Sequence, residues 1–251
     1  MKILYDEENP KAASLHEFLA ERVDLEGDEH VNIVLGGDGF MLRAVREHYS
    51  SDAVFLGINC GSVGFLLNNL PEDSEELVCR LQSKSYTIRS FPRIRTHAQS
   101  IDGQTWEAAA INDIYLERMV PQAIHLRIMI DEITVVEKMV CDGMVFCTAL
   151  GSTAYNFSAS GPACHPSLRV LCATPICPHT PRLSPAVIPL ESTIQLQVLD
   201  PLKRRAQAVA DGIVFPNVSH LTITLDPSEV KLAYFEDHDY TTEMIEKVLA
   251  V

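Results

Sequence analysis

Basic side chains are scarce in this sequence: 20 Lys and Arg stand against 34 Asp and Glu, a net charge of −14. The isoelectric point is near 5.0. Binding to nucleic acid or to an anionic membrane regardless of sequence needs Lys and Arg, so neither partner is expected. An anionic nucleotide is not excluded, because a few local groups suffice to hold one. No run approaches the ~20 apolar residues of a membrane-spanning helix. The first ten residues, MKILYDEENP, lack the apolar core of a secretory signal. The seven cysteines (Cys60, Cys79, Cys141, Cys147, Cys164, Cys172 and Cys177) form no CxxC pair, and four lie in apolar runs. That predicts buried, reduced thiols in a cytoplasmic protein and argues against a zinc site. The Walker GK[ST], the dinucleotide GxGxxG and the hydrolase GxSxG are also missing. So are internal repeats and low-complexity segments.

What is present is enough apolar material, 47 % of 251 residues, for one large domain or two small ones. KILYD, VNIVLGG and AVFLGINC read as strands, the last two apolar at nearly every position, as buried parallel strands are. Between them, Asn9 caps a helix with Pro10 at its first position, and a helical pattern follows Gly39. DSEELVCRL is a helix with Asp73 as N-cap and Glu76 placed for a capping box. This order predicts a doubly wound α/β domain over residues 1–94, with ligands at the strand C-termini. AIHLRIMIDE, TIQLQVL and HLTITL alternate apolar and polar residues, which predicts an antiparallel, β-rich domain over 95–226. Gly and Pro concentrate over 161–189, which reads as loop. The tail, 227–251, ends in a helical pattern with Met244, Val248, Ile245 and Leu249 as its apolar stripe. It is expected to pack back on the first domain, though a partner-binding helix has the same pattern.

Three stretches carry chemistry. In VLGGDGF a buried strand stops at Gly36-Gly37-Asp38-Gly39 and a helix begins. A tight turn without a ligand is the plainer reading. Its place at a strand C-terminus and helix N-terminus favours phosphate, since backbone N–H groups and the helix dipole attract anions. In AAAINDIYLER, Asn112 and Asp113 interrupt an apolar run. They form either an Asn-Asp turn or a polar pair suited to vicinal ribose hydroxyls or an amide. In CDGMVFCTALGSTAYNFSASGP, Asp142-Gly143 precedes a strand, and Gly151, Ser152, Thr153, Ala154, Tyr155, Ser158 and Gly161 follow. Small and hydroxylic residues around one tyrosine read as a binding loop more readily than as a capped turn.

In combination these residues resemble the NAD kinase family. GGDG at 36–39, GINCGSVGFL at 57–66, IND at 111–113, DG at 142–143, GSTAYNFSASGP at 151–162 and TPICPH at 174–179 occur in the family's order. The resemblance runs from about residue 31 to 215 and more loosely to the C-terminus. GGDG alone is shared with diacylglycerol kinases, sphingosine kinases and phosphofructokinases; GSTAY with TPI is far more specific. The resemblance implies an N-terminal α/β domain, a C-terminal β-rich domain and a C-terminal segment returning to the first. It implies transfer of a phosphoryl group, from ATP or another donor, to the 2′-hydroxyl of the adenosine ribose of NAD. A divalent cation, usually Mg2+, accompanies the donor, and the assembly is a homo-oligomer, dimer or tetramer. By the resemblance Asp38 is the proton acceptor, and Gly36 and Gly37 shape the phosphate turn. Gly39, Phe65, Asn112, Asp113, Asp142, Thr153, Ala154, Tyr155, Ser158 and Ala173 surround the dinucleotide.

The sequence departs from the family at four places. Phe40 stands where many members have Thr, and Leu67-Asn68-Asn69 where many have Glu. Val140 stands where Arg is common, and Ile213 follows the second Asp-Gly where Gln is common. Two rival readings remain: a lipid kinase of the same GGDG group, and a noncatalytic NAD-binding module that keeps Asn112, Asp113 and Tyr155 without needing Asp38. The −14 charge and the polar GSTAYNFS stretch disfavour the first.

Overall fold

Alternating strands and helices open the chain: β1 (Lys2–Tyr5), α1 (Pro10–Ala20), β2 (Val31–Gly36), α2 (Asp38–His48), β3 (Val54–Asn59) and α3 (Ser74–Gln82). The structure is a computed structural model that describes residues 1–23, 29–61 and 64–249, without the side chains of residues 247 and 249. Ser62 and Val63 of GINCGSVGFL, and the Leu249 side chain of the expected apolar stripe, thus lie outside the described residues. Asn9 caps α1 by accepting the N–H groups of Lys11 (3.0 Å) and Ala12 (3.2 Å). Asp73 caps α3 by accepting from Glu75 N–H at 2.9 Å. Glu76 does not close a capping box; its carboxylate reaches one turn forward to Arg80, at 2.6 and 3.0 Å.

After β4 (Tyr86–Ser100) come β5 (Thr105–Ala110), β6 (Asp113–Arg118), β7 (Ile124–Ile130), β8 (Ile133–Cys141) and β9 (Gly143–Thr148). A 3₁₀ turn (Leu150–Thr153) leads to α4 (Tyr155–Ser158). Then follow β10 (Val170–Ile176), β11 (Ala186–Pro189), β12 (Ile194–Leu199), β13 (Ala206–Ala210), β14 (Ile213–Phe215), β15 (Val218–Phe235) and α5 (Tyr240–Met244). The chain divides into two compact units, Met1–Phe91 with Glu229–Val251, and Pro92–Ser228.

In the first unit β1, β2, β3 and the end of β15 pair in that order, all parallel. Every residue of β2 and β3 is buried, which matches their continuous apolar character. Leu15 and Leu19 of α1 and Leu77, Val78 and Leu81 of α3 pack with Ile33, Leu35, Leu56 and Ile58 on one face. Gly57 points to the other face, where a Cβ added to it would lie 3.1 Å from Met41 Cε of α2. Helices thus cover both faces, as a doubly wound sheet requires. At the C-terminus Tyr240 packs edge-on against Phe91 (6.0 Å between ring centroids) and Tyr234 (5.2 Å), so α5 belongs to this unit. Its apolar stripe differs from expectation. A π-helical turn over Ile245–Leu249 changes the register after α5, leaving Ile245 51 % exposed while Val248 is 7 % exposed.

The second unit holds two antiparallel layers. One runs β15-β12-β7-β8; the other runs β11-β10-β9-β6-β13-β14. Ile124, Leu126 and Ile128 share a buried face, as their alternation predicts, and join Ile114, Leu116, Met144, Phe146 and Ala208 in one core. The 161–189 segment is not all loop. VLCATPI forms β10, paired on both sides with β9 and β11, because its apolar residues fill this core in spite of Pro175. Of the cysteines, Cys60, Cys141, Cys147, Cys164 and Cys172 are buried thiols, whereas Cys79 and Cys177 are exposed. No helix among the described residues is long and apolar enough to cross a membrane.

Candidate active site

In the first unit the GGDG turn ends a buried strand and starts a helix. The Gly36 carbonyl accepts Cys60 N–H at 2.8 Å, and the Gly37 carbonyl accepts Met41 N–H at 3.0 Å, which opens α2. Gly37 is the N-cap and Asp38 the first helical residue. The Asp38 carboxylate accepts Phe65 N–H (2.9 Å to Oδ2, 3.2 Å to Oδ1) and Leu66 N–H (3.0 Å to Oδ1). It therefore fixes the loop after β3 to the turn after β2. A Cβ at Gly36 would come 2.9 Å from Phe40 Cβ, so that glycine serves packing. At Gly37 and Gly39 a Cβ would meet no atom of the described residues within 4 Å. A ligand can approach that backbone closely, as phosphate at a helix N-terminus does. Phe40, in place of the family's Thr, lies under the Arg43 guanidinium at 4.7 Å.

Asn68, in the Leu67-Asn68-Asn69 run that departs from the family, is a buried tie. Its amide donates to the carbonyls of Gly57 (2.9 Å) and Ala233 (3.0 Å), and its Oδ1 accepts Phe235 N–H at 2.8 Å. One bond goes to β3 and two go to β15, so this side chain bridges the two strands.

In the second unit Asn112 and Asp113 stand where β6 begins, 8 % and 7 % exposed. Asn112 Oδ1 is buried with no hydrogen-bond partner among the described residues. Such a group costs about 1–3 kcal/mol unless something pairs with it, which favours a polar ligand here. Burial, and then the charge of Asp211, pushes the Asp113 carboxyl up to about 7. Asp211, absent from the sequence-based set of site residues, accepts N–H groups from Ile111, Asn112 and Asp113. The Asp-Gly pair between β13 and β14 was the available signal for it, since such pairs mark hairpin turns.

The GSTAY segment lies against this strand. A Cβ at Gly151 would be 2.2 Å from the Asn112 carbonyl oxygen, so only glycine permits the approach. Ser152 is a fully buried strut rather than a nucleophile: its hydroxyl donates to Ala149 O (2.7 Å) and accepts Cys164 N–H (2.8 Å). Asn156 ties the loop from inside, donating to Ser152 O and Pro162 O, each at 2.9 Å, and accepting from Thr174 at 2.6 Å. These ties leave Thr153, Ala154 and Tyr155 partly accessible and Ser158 exposed. The Tyr155 ring meets Tyr115 edge-on at 4.9 Å. Burial, then Glu117 and Asp113, raise the Tyr155 hydroxyl above its ordinary range, which keeps it a neutral donor. Tyr155, Glu117, Arg118, Asp142 and Ile176 line a hollow of about 430 Å³. Asp142 pairs there with Arg118 at 2.9 Å. A partly exposed pair contributes about 0–1 kcal/mol, so breaking it would cost little. Ala173 differs from the other expected contacts. It is 3 % exposed within β10 and packs in the core, because its strand is flanked on both sides.

Residues 111–220 match the ATP-NAD kinase C-terminal domain. An NAD kinase of Rickettsia bellii is 31 % identical over 98 % of this chain and 96 % of its own length. The chain belongs to the NAD kinase family. Another relative, the NAD kinase of Brucella suis, is 35 % identical over 87 % of this chain and 84 % of its own. Two solved structures share the fold. Yeast NADH kinase complexed with NADH has a TM-score of 0.82 at 21 % identity, over 99 % of this chain and 86 % of that one. An Archaeoglobus fulgidus NAD kinase in complex with ATP has a TM-score of 0.76 at 24 % identity, over 100 % of this chain and 98 % of that one. Two of the departures from the family fall on hydrogen-bonded strand backbone. Val140 exchanges backbone hydrogen bonds with Thr180 and His179, and Ile213 pairs with Ala210 to close the β13–β14 hairpin.

Proposed function

We propose that this NAD kinase transfers the terminal phosphoryl group of ATP to the 2′-hydroxyl of the adenosine ribose of NAD, giving NADP and ADP. The bond from the 2′-oxygen to phosphorus forms as the bond from phosphorus to the β–γ bridging oxygen breaks. The hydroxyl proton passes to the Asp38 carboxylate and then to solvent. Asn112 and Asp113 hold the dinucleotide, with Tyr155, Thr153, Ala154, Ser158 and Asp142 around it. Gly37 and Gly39 admit the donor phosphates. The observation that carries the reading is the Asp38 carboxylate, held by two backbone amides beside two glycines where an added Cβ would meet no atom of the described residues within 4 Å.

Aspartate is a weak base, but phosphoryl transfer has a loose transition state, so the hydroxyl need not lose its proton early. Positioning and late proton acceptance by such a group contribute roughly 10²–10⁴-fold. A divalent cation enters with the phosphates of ATP as part of that substrate and neutralises charge developing on them. Among the described residues no three His, Cys, Asp or Glu side chains are arranged to hold a metal, so none is assigned to the chain itself. The test is direct: the purified chain with NAD, ATP and magnesium forms NADP, read by an NADP-specific dehydrogenase assay. Binding of NAD without any NADP would favour the noncatalytic module instead.

A further inference from the structure

We propose that Asp211 is a positioning residue for the dinucleotide, its carboxylate fixing the backbone turn that presents Asn112 and Asp113. The inference rests on those two residues holding NAD. Asp211 and Gly212 form a two-residue hairpin loop with φ values of +40° and +83°. Such a left-handed pair is a type I′ turn, which suits Asp-Gly. The turn aims the Asp211 side chain at a strand about a hundred positions earlier. There its carboxylate accepts three consecutive N–H groups: Ile111 at 2.6 Å, Asn112 at 3.1 Å and Asp113 at 3.1 Å. In return Asp211 N–H donates to the Asp113 carbonyl at 3.1 Å. Three donors on one carboxylate leave the start of β6 little freedom. Gly151 closes the other side of Asn112, and the hydroxyl of Thr148 donates to the Ile111 carbonyl at 2.5 Å.

A second consequence follows from charge. The titratable groups around Asp113 are Asp211 in the hairpin, Cys147 opposite it on β9, Tyr115 on its own strand and Tyr155 on α4. Cys147 and both tyrosines are raised and stay neutral near pH 7, so Asp211 supplies the negative charge beside Asp113. A ribose hydroxyl donates to an ionised carboxylate, so NAD affinity rises with pH as Asp113 ionises. NAD itself has no group that titrates between pH 5.5 and 8.5.

The experiment is titration of NAD into the full chain from pH 5.5 to 8.5, for wild type, Asp211→Asn, Asp211→Gly and Asp113→Ala. Both substitutions at 211 tolerate the left-handed backbone. Wild type is expected to gain affinity with a midpoint near 7. Asp211→Asn removes the charge and should lower that midpoint by about one pH unit or more. Asp211→Gly removes every acceptor as well as the charge, so it should lower the midpoint like Asp211→Asn and weaken NAD by roughly tenfold at pH 8.5. Its effect should fall on the KM for NAD, with kcat at saturating NAD within about threefold. A midpoint unmoved in Asp211→Asn, or affinity of Asp211→Gly within about twofold of wild type at pH 8.5, overturns the proposal. Asp113→Ala separates the two layers. If it binds NAD like wild type, the ribose-binding assignment falls and this inference with it. If it loses NAD while the Asp211 variants behave as wild type, only the role of Asp211 falls.

Discussion

Asp113 is a buried carboxyl beside another carboxylate, and this has a cost that depends on pH. Its folded-state value is pushed to about 7, above the ordinary carboxylate range. A group raised on folding stabilises the fold below its unfolded value, and that contribution is lost as pH rises through the folded value. Stability linked to Asp113 should therefore fall between about pH 4 and pH 7. Asp113→Asn, which mimics the protonated form, should melt close to wild type at about pH 4 and several degrees higher at pH 8.5. Thermal melts at the two pH values check it; the same gap at both would mean Asp113 is not titrating in the folded chain. Single residues were unevenly legible in the sequence. Asn112 and Asp113 stood out because polar residues interrupt an apolar run. Asp211 did not, because its importance lies in hydrogen bonds to residues about a hundred positions away, which spacing does not reveal. Ala173, expected beside the dinucleotide, is buried in β10, and alanine carries no local sign of which face it occupies.

At the scale of elements, two glycine turns make opposite demands. Gly151 lies so close to the Asn112 backbone that an added Cβ would have to displace it, whereas one at Gly39 would meet no atom of the described residues within 4 Å. Gly151→Ala should lower the melting temperature and weaken NAD together, because pushing the loop away moves β6. Gly39→Ala should leave the melting temperature within a degree or two and reduce kcat/KM for ATP, because only the ligand would meet the new methyl. Melting curves and steady-state kinetics on the pair check this; a Gly39→Ala enzyme with wild-type ATP kinetics would remove the phosphate role from that turn. Elements with a strong period were legible: β2, β3, β7, α1 and α3 form where their patterns place them. β10 was hidden by the Gly and Pro around it, although Pro175 is accommodated within it. The tail was read with an α-helical period, and the π-helical turn over Ile245–Leu249 broke that stripe.

Across the whole molecule, the change from strand–helix alternation to two-residue alternation announced the α/β part and the β-rich part, because burial on both faces and burial on one face leave different patterns. The order of motifs along the chain pointed to the family before any contact was known. Burial of loop polar groups was illegible: Ser152, Asn156 and Asn68 are internal ties, and no local pattern marks them as such. The account stands on Asp38, which holds the loop at Phe65 and Leu66 and which we propose receives the proton. Asn at this position keeps one acceptor oxygen and turns an amide toward the second N–H, so a modest loss of stability, about 1–3 kcal/mol, is expected. The deciding measurement is kcat of Asp38→Asn for NADP formation at saturating NAD, ATP and magnesium, on protein shown by its circular dichroism to be folded. The account predicts a fall of roughly 10²–10⁴-fold with NAD affinity within about threefold of wild type. Turnover within about threefold of wild type would contradict it and leave Asp38 as a structural clasp alone.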